Sequence, residues 1–429
     1  MTPEDKKPSL VIIGNGMATG RLLGELIAQD SHGYQITVFG KEPEGNYNRI
    51  MLSPLLAGET SIEEITQFPL NWYRDNGITF YSGDPVCRID TANKRVVSES
   101  GVETDYDKLI IATGSDPFIP NLLQRPDVKG VVSFRNMADV ATIQSHTKTA
   151  KNAVVIGGGL LGLEAAHGLR QQGLSVTVLQ RASRLLNQQL DHTAADLLRQ
   201  ELTERGVKIA LNSELESIAT NNVGQLTEIE LKTGKRISVD LLIVAAGIVP
   251  NINLAKHADI ATDRGILIDE QLHTSVDDVF ALGECSQFGQ HTFGLVEPIW
   301  HQVEVLVNQL CGDRTALFQM SELSTKLKVS GIDLFSAGEI KGDETSHNQC
   351  LTDPANRSYR KLIFRHNRLV GAVLYGHVED GQWYFDLIRQ QTDISQIRQL
   401  LVFGQAYCKQ GVTEATRTDS NDAANSKAA

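Results

Sequence analysis

Two glycine-rich turns, each placed between an apolar strand and a helix, constrain the fold of this chain more than any other feature. The second turn is the regular one, because the strand at 152–156 runs directly into Gly157, Gly159 and Gly162, the full G-x-G-x-x-G spacing. Glycines at these positions allow a sharp turn and let the helix N-terminus meet a pyrophosphate with no side chain in between. This segment therefore predicts a dinucleotide site.

The first turn follows the apolar residues 10–13 and is less regular. It has Gly14 and Gly16, but Thr19 stands where the third glycine belongs, and Gly20 comes one residue late. We expect the Thr19 hydroxyl to lie against the strand, in the space where a glycine would pack. Strand, glycine turn and helix also occur in domains that bind nothing, but two such turns in one chain favour two nucleotide sites.

Each turn is followed by a second strand whose end is the usual place for a contact to the adenosine ribose. After the strand at 35–39, Glu42 is the candidate for this contact, and a plain surface carboxylate is the alternative. After the strand at 174–179 the corresponding residue is Gln180, which is neutral.

The residues around Gln180 bear on the choice of coenzyme. An acid at this position would have favoured the 2′-hydroxyl of NADH, whereas Arg181 and Arg184 would accommodate the 2′-phosphate of NADPH. Gly162 is the residue usual for NADH. We expect a small preference for NADH.

Composition excludes several classes of protein. The net charge of −12 works against non-specific binding to nucleic acid or anionic lipid. No signal-peptide pattern precedes Leu10, and no apolar run approaches the about 18 to 20 residues that span a bilayer. We therefore expect a cytoplasmic protein with no nucleic-acid and no membrane partner.

The five cysteines are scattered along the chain and include no C-x-x-C pair: Cys87, Cys285, Cys311, Cys350 and Cys408. This spacing predicts neither a disulfide framework nor a metal site.

The order of patterns predicts an α/β protein with two Rossmann-like domains and a C-terminal α+β domain. Residues 1–116 and 248–320 would form the first dinucleotide-binding domain, and 117–247 the second. From 321 to 410 the pattern is of β-type runs at 326–329, 359–364 and 369–375 and a helix near 380–390. The polar segment 411–429 is predicted to be disordered.

A family resemblance rests on both turns, on the strand ends 112–114 and 246–247, and on 280–284, in that order. With these motifs the chain resembles the two-dinucleotide-binding-domain flavoprotein reductases over residues 10–404. In that family the first turn holds FAD, the second holds NAD(P)H, and the strand end at Gly283 and Glu284 returns to the FAD domain.

Within the family, the chain is most similar to the amino-terminal flavin module of the large subunit of assimilatory nitrite reductase, on residues such as 47–49, 157–166, 283–285 and 293–296. The nitrite reductase continues into an iron–sulfur and sirohaem region. An iron–sulfur cluster needs about four thiolates at set spacing, which the scattered cysteines do not supply. The resemblance thus implies a free-standing flavin reductase, similar to the electron-transfer subunit of assimilatory nitrate reductase systems.

The resemblance also implies site residues. For FAD these are Gly14, Gly16, Ala18, Glu42, Arg49, Val86, Thr113, Gly114, Arg135, Gly283, Glu284 and Glu297. For NAD(P)H they are Gly157, Gly159, Leu161, Gly162, Gln180, Arg181 and Gly247.

Glu164 is the catalytic candidate, near the nicotinamide. An equally good interpretation of Glu164 is a carboxylate favoured by the dipole of its helix. In related ferredoxin reductases a lysine at the position of Pro54 pairs with this carboxylate, and that lysine is missing here.

The implied activity is hydride transfer from NAD(P)H to FAD, followed by electron transfer to a separate redox protein. No close cysteine pair is present to relay electrons, so disulfide substrates are not expected. The acceptor would be the catalytic subunit of a nitrate or nitrite reductase, or alternatively a rubredoxin or ferredoxin. A non-catalytic flavoprotein, a sensor or scaffold, is the third hypothesis.

A basic segment near the C-terminus is a candidate docking site for the electron acceptor. Its members are Arg357, Arg360, Lys361, Arg365 and Arg368. They would form either a docking patch for an acidic carrier or a solvated strand face, and the second interpretation is favoured.

Overall fold

The computed structural model describes residues 7–29, 33–313, 315–320, 324–329 and 331–409. The predicted disordered segment 411–429 lies outside these residues. The helices in chain order are α1 (Met17–Ala28), α2 (Leu52–Ala57), α3 (Ile62–Ile65), α4 (Leu70–Asp75), α5 (Met137–Thr147), α6 (Leu160–Gln171), α7 (His192–Glu204), α8 (Asn253–His257), α9 (Val296–Leu310) and α10 (Gly381–Arg389).

The strands in chain order are β1 (Ser9–Ile13), β2 (Gln35–Gly40), β3 (Asn46–Tyr47), β4 (Thr66–Phe68), β5 (Thr79–Ser82), β6 (Val86–Asp90), β7 (Arg95–Ser98), β8 (Glu103–Asp105), β9 (Lys108–Ile111), β10 (Ser115–Pro117), β11 (Val131–Ser133), β12 (Asn152–Ile156), β13 (Ser175–Leu179), β14 (Val207–Ala210), β15 (Leu215–Thr220), β16 (Leu226–Leu231), β17 (Arg236–Ser238), β18 (Leu241–Val244), β19 (Ile248–Pro250), β20 (Ile266–Ile268), β21 (Val279–Ala281), β22 (Ser286–Phe288), β23 (His291–Thr292), β24 (Ser324–Val329), β25 (Ile332–Gly338), β26 (His347–Asp353), β27 (Ser358–Arg365) and β28 (Arg368–Tyr375).

The first glycine turn belongs to a five-stranded sheet of order β21-β9-β1-β2-β5. All four strand pairs are parallel. The central strand β1 is apolar from Leu10 to Ile13 because both faces of a parallel sheet are covered, and Leu10, Val11 and Ile12 are fully buried. A small antiparallel sheet, β6-β7-β8, follows β5 in the chain before it returns through β9.

The second glycine turn belongs to a separate five-stranded sheet of order β11-β18-β12-β13-β14. Strands β18, β12, β13 and β14 are parallel to one another, and β12 continues into the turn as β1 does in the first sheet. The two sheets confirm the prediction of two Rossmann-like folds.

The C-terminal part forms an antiparallel sheet of order β24-β25-β28-β27-β26 with α10 packed on β25 and β28. Its core includes Leu362, Phe364, Leu374 and Tyr384, all fully buried. The α+β character of this region is as predicted, and its strands and helix contain the runs expected from the sequence.

Packing divides the described residues into two compact units. The first unit lies within 1–121, 133–145 and 247–320, and the second within 122–132, 146–246 and 321–429. The middle and C-terminal segments thus fall in one unit. The domain limits 1–116 with 248–320, 117–247 and 321–410 stay a prediction.

Candidate functional site

A cavity of about 330 Å³ lies at the carboxyl edge of the parallel sheet of the first unit. Its walls come from the segments that directly follow four strands: residues 14–18 after β1, 41–45 after β2, 112–116 after β9 and 282–284 after β21. Open α/β sheets bind their ligands at this edge, because the loops there are free of the strand ladder and meet in one crevice.

The glycines of the first turn are required by its geometry. Gly14 has φ of +105°, and a Cβ atom there would lie 2.2 Å from the carbonyl oxygen of Ala112. A Cβ atom at Gly16 would meet nothing within 4 Å, so this glycine keeps the space in front of the turn open. Helix α1 begins at Met17 with no side chain capping its first N–H groups. The turn therefore leaves backbone donors for an anionic group.

Two arginines in the cavity wall bring positive charge to the same space. Arg49 forms an ion pair with Glu42 and donates a hydrogen bond to the carbonyl oxygen of Arg135 at 3.1 Å. Arg135 in turn pairs with Glu284 and donates to the Ser115 hydroxyl at 2.8 Å. A guanidinium has five N–H donors, so one carboxylate partner leaves donors for a phosphate group.

The groups around Arg49 fix its charge. Burial opposes the charged form, but the neighbouring Tyr47 and Glu42 groups outweigh it and raise the pKa of Arg49 above its usual value. Burial also raises the pKa of Tyr47, so the Tyr47 hydroxyl stays protonated. It donates a hydrogen bond to the Glu42 carboxylate at 2.6 Å.

Asp139 holds the backbone that carries Arg135. Its carboxylate accepts the N–H of Arg135 at 2.7 Å and the hydroxyl of Ser133 at 3.0 Å. Burial raises the pKa of Asp139 above its usual range, although these hydrogen bonds oppose the shift. The position of the Arg135 side chain thus depends on a half-buried carboxylate at the start of α5.

The second glycine turn, in the second unit, has the same local geometry. Gly157 has φ of +119°, and a Cβ atom there would lie 2.1 Å from the Ala245 carbonyl oxygen. A Cβ atom at Gly162 would lie 2.1 Å from the carbonyl oxygen of Gly157, whereas one at Gly159 would meet nothing within 4 Å. Helix α6 begins directly after Gly159. This is a second place where a helix N-terminus can approach a pyrophosphate.

Gln180 is bonded within the loop that follows β13. Its side-chain oxygen accepts the N–H of Gly158 at 3.1 Å, and its amide nitrogen donates to the Arg184 carbonyl at 3.1 Å. The Arg184 guanidinium donates to the carbonyls of Leu190 and Asn187 at 3.0 and 2.8 Å. Arg184 is thus engaged by its own loop, and Arg181 is the exposed arginine of the pair.

The cavity brings together most of the residues predicted for FAD: Gly14, Gly16, Ala18, Glu42, Arg49, Thr113, Gly114, Arg135, Gly283 and Glu284. Val86 and Glu297, both within the described part of the chain, are not among its lining residues. Val86 is buried in β6, and Glu297 is exposed in the first turn of α9.

The residues predicted for NAD(P)H lie in the second unit around the second turn, except Gly247. Leu161 and the catalytic candidate Glu164 are half-buried in the first turns of α6. Gly247 has φ of +121° and belongs to the first unit. Pro54, where related reductases were expected to carry a lysine, lies in α2.

Sequence reasoning missed several residues that line the cavity, among them Asn15, Ser115 and Trp300. Trp300 lies on α9 with Val296 and Ile299, which also line the cavity. Their spacing of three and four residues places them on one helix face, and this apolar stripe was the available signal.

The first cavity fits FAD. A flavin dinucleotide has an anionic pyrophosphate between two ring systems. The glycine turn and two arginines offer donors for the pyrophosphate, and Glu42 offers an acceptor for a ribose, in one crevice.

Within the described residues, no group of three or more His, Cys, Asp or Glu side chains could hold a metal ion. No helix in the same part of the chain is long and apolar enough to cross a membrane.

The fold and both turns agree with comparisons to known proteins. Residues 8–305 match the family of pyridine nucleotide-disulphide oxidoreductases, and 324–392 match the C-terminal domain of rubredoxin NAD+ reductase. The chain therefore belongs to the pyridine nucleotide-disulphide oxidoreductase family. It is an FAD-dependent NAD(P)H oxidoreductase.

Two relatives from Bacillus subtilis are similar over nearly the whole chain. The nitrite reductase [NAD(P)H] is 39% identical over 97% of this chain and 51% of the relative. The assimilatory nitrate reductase electron transfer subunit is 38% identical over 92% of this chain and 51% of the relative. The chain spans about half the length of these relatives.

Among solved structures, NADH:rubredoxin oxidoreductase from Clostridium acetobutylicum is 27% identical, with a TM-score of 0.74 over 91% of this chain and 97% of that one.

Proposed function

We propose that this chain is the flavin-containing electron-transfer component of an assimilatory nitrate or nitrite reductase, oxidising NADH and reducing a separate redox protein. The observation that carries the proposal is the cavity of the first unit, lined by a glycine turn and two arginines, together with a second glycine turn of the same local geometry. The similarity to the Bacillus subtilis proteins supports this choice of system.

Within this proposal the residues have separate tasks. The N–H groups of the first glycine turn and the guanidinium groups of Arg49 and Arg135 would hold the pyrophosphate of FAD. Glu42 would accept the ribose hydroxyls, and Glu284 would meet the ribityl region. The second turn would hold the pyrophosphate of the coenzyme, with Gln180 at its ribose.

FAD supplies the redox chemistry when it is bound, and the chain's own residues orient the two cofactors. No acid–base pair is required for hydride transfer. Glu164 is assigned a place near the nicotinamide, and Val86, Glu297 and Gly247 are kept as predicted contacts. The scattered cysteines supply no close thiol pair, so electrons leave to an external acceptor rather than through a disulfide.

Anaerobic titration of the holoprotein with NADH tests the redox function. One equivalent of coenzyme is expected to bleach the flavin absorbance near 450 nm, because hydride transfer reduces the flavin. Unchanged yellow absorbance would contradict an enzyme and favour the sensor or scaffold hypothesis.

A rubredoxin is the second candidate for the acceptor. It is favoured by the match of 324–392 to the rubredoxin NAD+ reductase C-terminal domain and by the Clostridium structure. Reduction of cytochrome c by NADH, measured with and without added rubredoxin, distinguishes the two. A rate that rises with rubredoxin supports the alternative, whereas a rate that rises only with a nitrate reductase catalytic subunit supports the main proposal.

Most basic residues of the C-terminal segment 357–368 form ion pairs with nearby carboxylates, which makes them poorly suited to dock an acidic partner. Arg357 pairs with Glu204 at 2.7 Å, Arg360 with Asp380 at 2.9 Å and Lys361 with Asp191 at 3.4 Å. Arg365 pairs with Glu339 and Asp343. These pairs favour a structural role for the basic segment.

Gln180→Glu is expected to strengthen the preference for NADH. The carboxylate can still accept the Gly158 N–H, and it loses the donation to the Arg184 carbonyl with either coenzyme alike. Because its charge repels a 2′-phosphate, kcat/KM for NADPH should fall roughly tenfold relative to NADH. Steady-state kinetics with both coenzymes measure this ratio.

Gln200→Glu adds the same charge on the exposed face of α7 and is the matched control. It should leave the ratio unchanged. An equal response to both substitutions would show that Gln180 does not face the coenzyme ribose.

A further inference from the structure

The two glycine turns are closely similar in backbone hydrogen bonding. In both, the N–H of the first glycine donates to a carbonyl near the end of the following strand: Gly14 to Phe39 at 2.8 Å and Gly157 to Leu179 at 2.9 Å. In both, the first helical hydrogen bond returns to Gly16 or Gly159, at 3.0 Å. Positions in the two turns therefore correspond one to one, and Thr19 corresponds to Gly162.

At this corresponding position the two turns differ. In the second turn, only a glycine fits, because a Cβ atom at Gly162 would lie 2.1 Å from the carbonyl oxygen of Gly157. In the first turn, Thr19 is fully buried and its hydroxyl donates to the carbonyl oxygen of Gly14 at 2.8 Å. This confirms the expected placement of the hydroxyl. The first turn thus replaces a close glycine contact with a side-chain hydrogen bond.

A second side chain holds the next two carbonyls. Asn46, fully buried at the start of β3, donates from its amide nitrogen to the carbonyl oxygens of Asn15 at 3.1 Å and Gly16 at 2.7 Å. In the second turn, the carbonyl corresponding to that of Asn15 accepts a backbone N–H, from Leu186 at 2.9 Å.

Asn46 also explains the late glycine of the first turn. A Cβ atom at Gly20 would lie 2.3 Å from the side-chain oxygen of Asn46. Gly20 is therefore not a displaced member of the fingerprint. It leaves the space that the asparagine occupies.

These contacts fix the direction of the backbone donors. In a planar trans peptide the N–H and the C=O point to opposite sides. Because donors hold the carbonyls of Gly14, Asn15 and Gly16, the N–H groups of residues 15, 16 and 17 point away from those donors, and all three residues line the cavity. The hydroxyl of Tyr73 donates to the Asn15 side chain at 2.8 Å and fixes that residue as well.

We propose that Thr19 and Asn46 are positioning residues for FAD, which orient the N–H groups of the first turn toward its pyrophosphate. The proposal rests on the assignment of this cavity to FAD. Asn46 is followed in β3 by Tyr47, which bonds Glu42, the partner of Arg49. One short strand therefore sets both the turn and the cationic side of the cavity.

The test compares near-isosteric variants in their affinity for FAD. Thr19→Val removes the hydroxyl and Asn46→Asp removes the amide donor, so apoprotein of Thr19→Val should bind FAD roughly 3- to 10-fold more weakly than the wild type. Asn46→Asp should lose roughly tenfold or more, because its charge also faces two carbonyl oxygens. Quenching of flavin fluorescence measures each Kd.

Two controls separate positioning from general damage. Thr19→Ser keeps the hydroxyl and should restore the wild-type Kd. Asn71→Asp makes the same substitution at an exposed position of α4, outside the residues that line the cavity. It should change FAD affinity less than twofold.

The ³¹P resonances of bound FAD provide a readout that a purely structural role would not move. They should shift in Thr19→Val and Asn46→Asp and stay in place in Thr19→Ser, while the KM for NADH at saturating FAD is unchanged. Thr19→Ala replaces the valine variant if that variant does not fold.

The proposal would be overturned if Thr19→Val and Asn46→Asp both bound FAD with wild-type affinity and left its ³¹P resonances unshifted. It would also be overturned if Thr19→Ser lost as much FAD affinity as Thr19→Val. Either result would leave the redox function intact if the wild type is still bleached by NADH. Failure of the wild-type apoprotein to bind FAD would instead reject the proposed function itself.

Discussion

Gly14→Ala is expected to yield protein that purifies without flavin. The backbone at Gly14 has φ of +105°, which disfavours any residue with a Cβ atom, and that atom would lie 2.2 Å from the Ala112 carbonyl oxygen. The turn can relieve this overlap only by moving from the end of β9, which also moves the N–H groups that face the cavity. Strain and overlap of roughly 2 to 4 kcal/mol correspond to a loss of FAD affinity of roughly 30-fold or more.

The ratio of flavin to protein absorbance in the purified variant measures this loss. Gly101→Ala is the matched control, because Gly101 also has a positive φ of +88° but a Cβ atom there would meet nothing within 4 Å. It should cost about 1 kcal/mol of stability and keep its flavin. A fully yellow Gly14→Ala protein would show that FAD is not held at this turn.

Asp191→Ala is expected to lower the free energy of unfolding by about 3–5 kcal/mol, since it breaks a buried ion pair. Asp191 caps α7 through the N–H of Ala194 at 3.0 Å. Its other oxygen accepts the hydroxyl of Tyr359 at 2.8 Å and faces the ammonium group of Lys361 at 3.4 Å. Both Asp191 and Lys361 are less than 10% exposed, so the alanine variant leaves a buried charge without its carboxylate.

Urea unfolding followed by circular dichroism measures this change. Asp196→Ala is the control on the same helix, because Asp196 is exposed and pairs with Arg199 in solvent. Its effect should stay within about 0.5 kcal/mol. A similar small effect for Asp191→Ala would show that the contact between α7 and the C-terminal sheet does not stabilise the second unit.

The fold class could be predicted from the sequence because its signals are local. Runs such as 10–13 and 153–156 are apolar on every residue, as strands covered on both faces require, and each is followed by glycines at the start of a helix. In the C-terminal region the β-type runs 359–364 and 369–375 were predicted, whereas their antiparallel pairing and the strands β25 and β26 were not.

The internal bonding of the site could not be predicted, because it depends on residues far apart in the chain. Asn46 carries no motif of its own, and its role is evident only when β3 lies against the first turn. Arg184 is a different case, because its carbonyl partners at Asn187 and Leu190 are close in the chain, but only the folded loop turns them toward the guanidinium. Val86 was assigned by resemblance alone, and its burial in β6 gave no independent support.

Carboxylate partners at both cavity arginines bear on the state of the protein before a ligand is bound. Because Arg49 is neutralised by Glu42 and Arg135 by Glu284, the crevice carries no large uncompensated charge before a ligand arrives. An unpaired guanidinium at this depth would penalise the ligand-free state. The fold can therefore keep both guanidinium groups paired before a cofactor is bound.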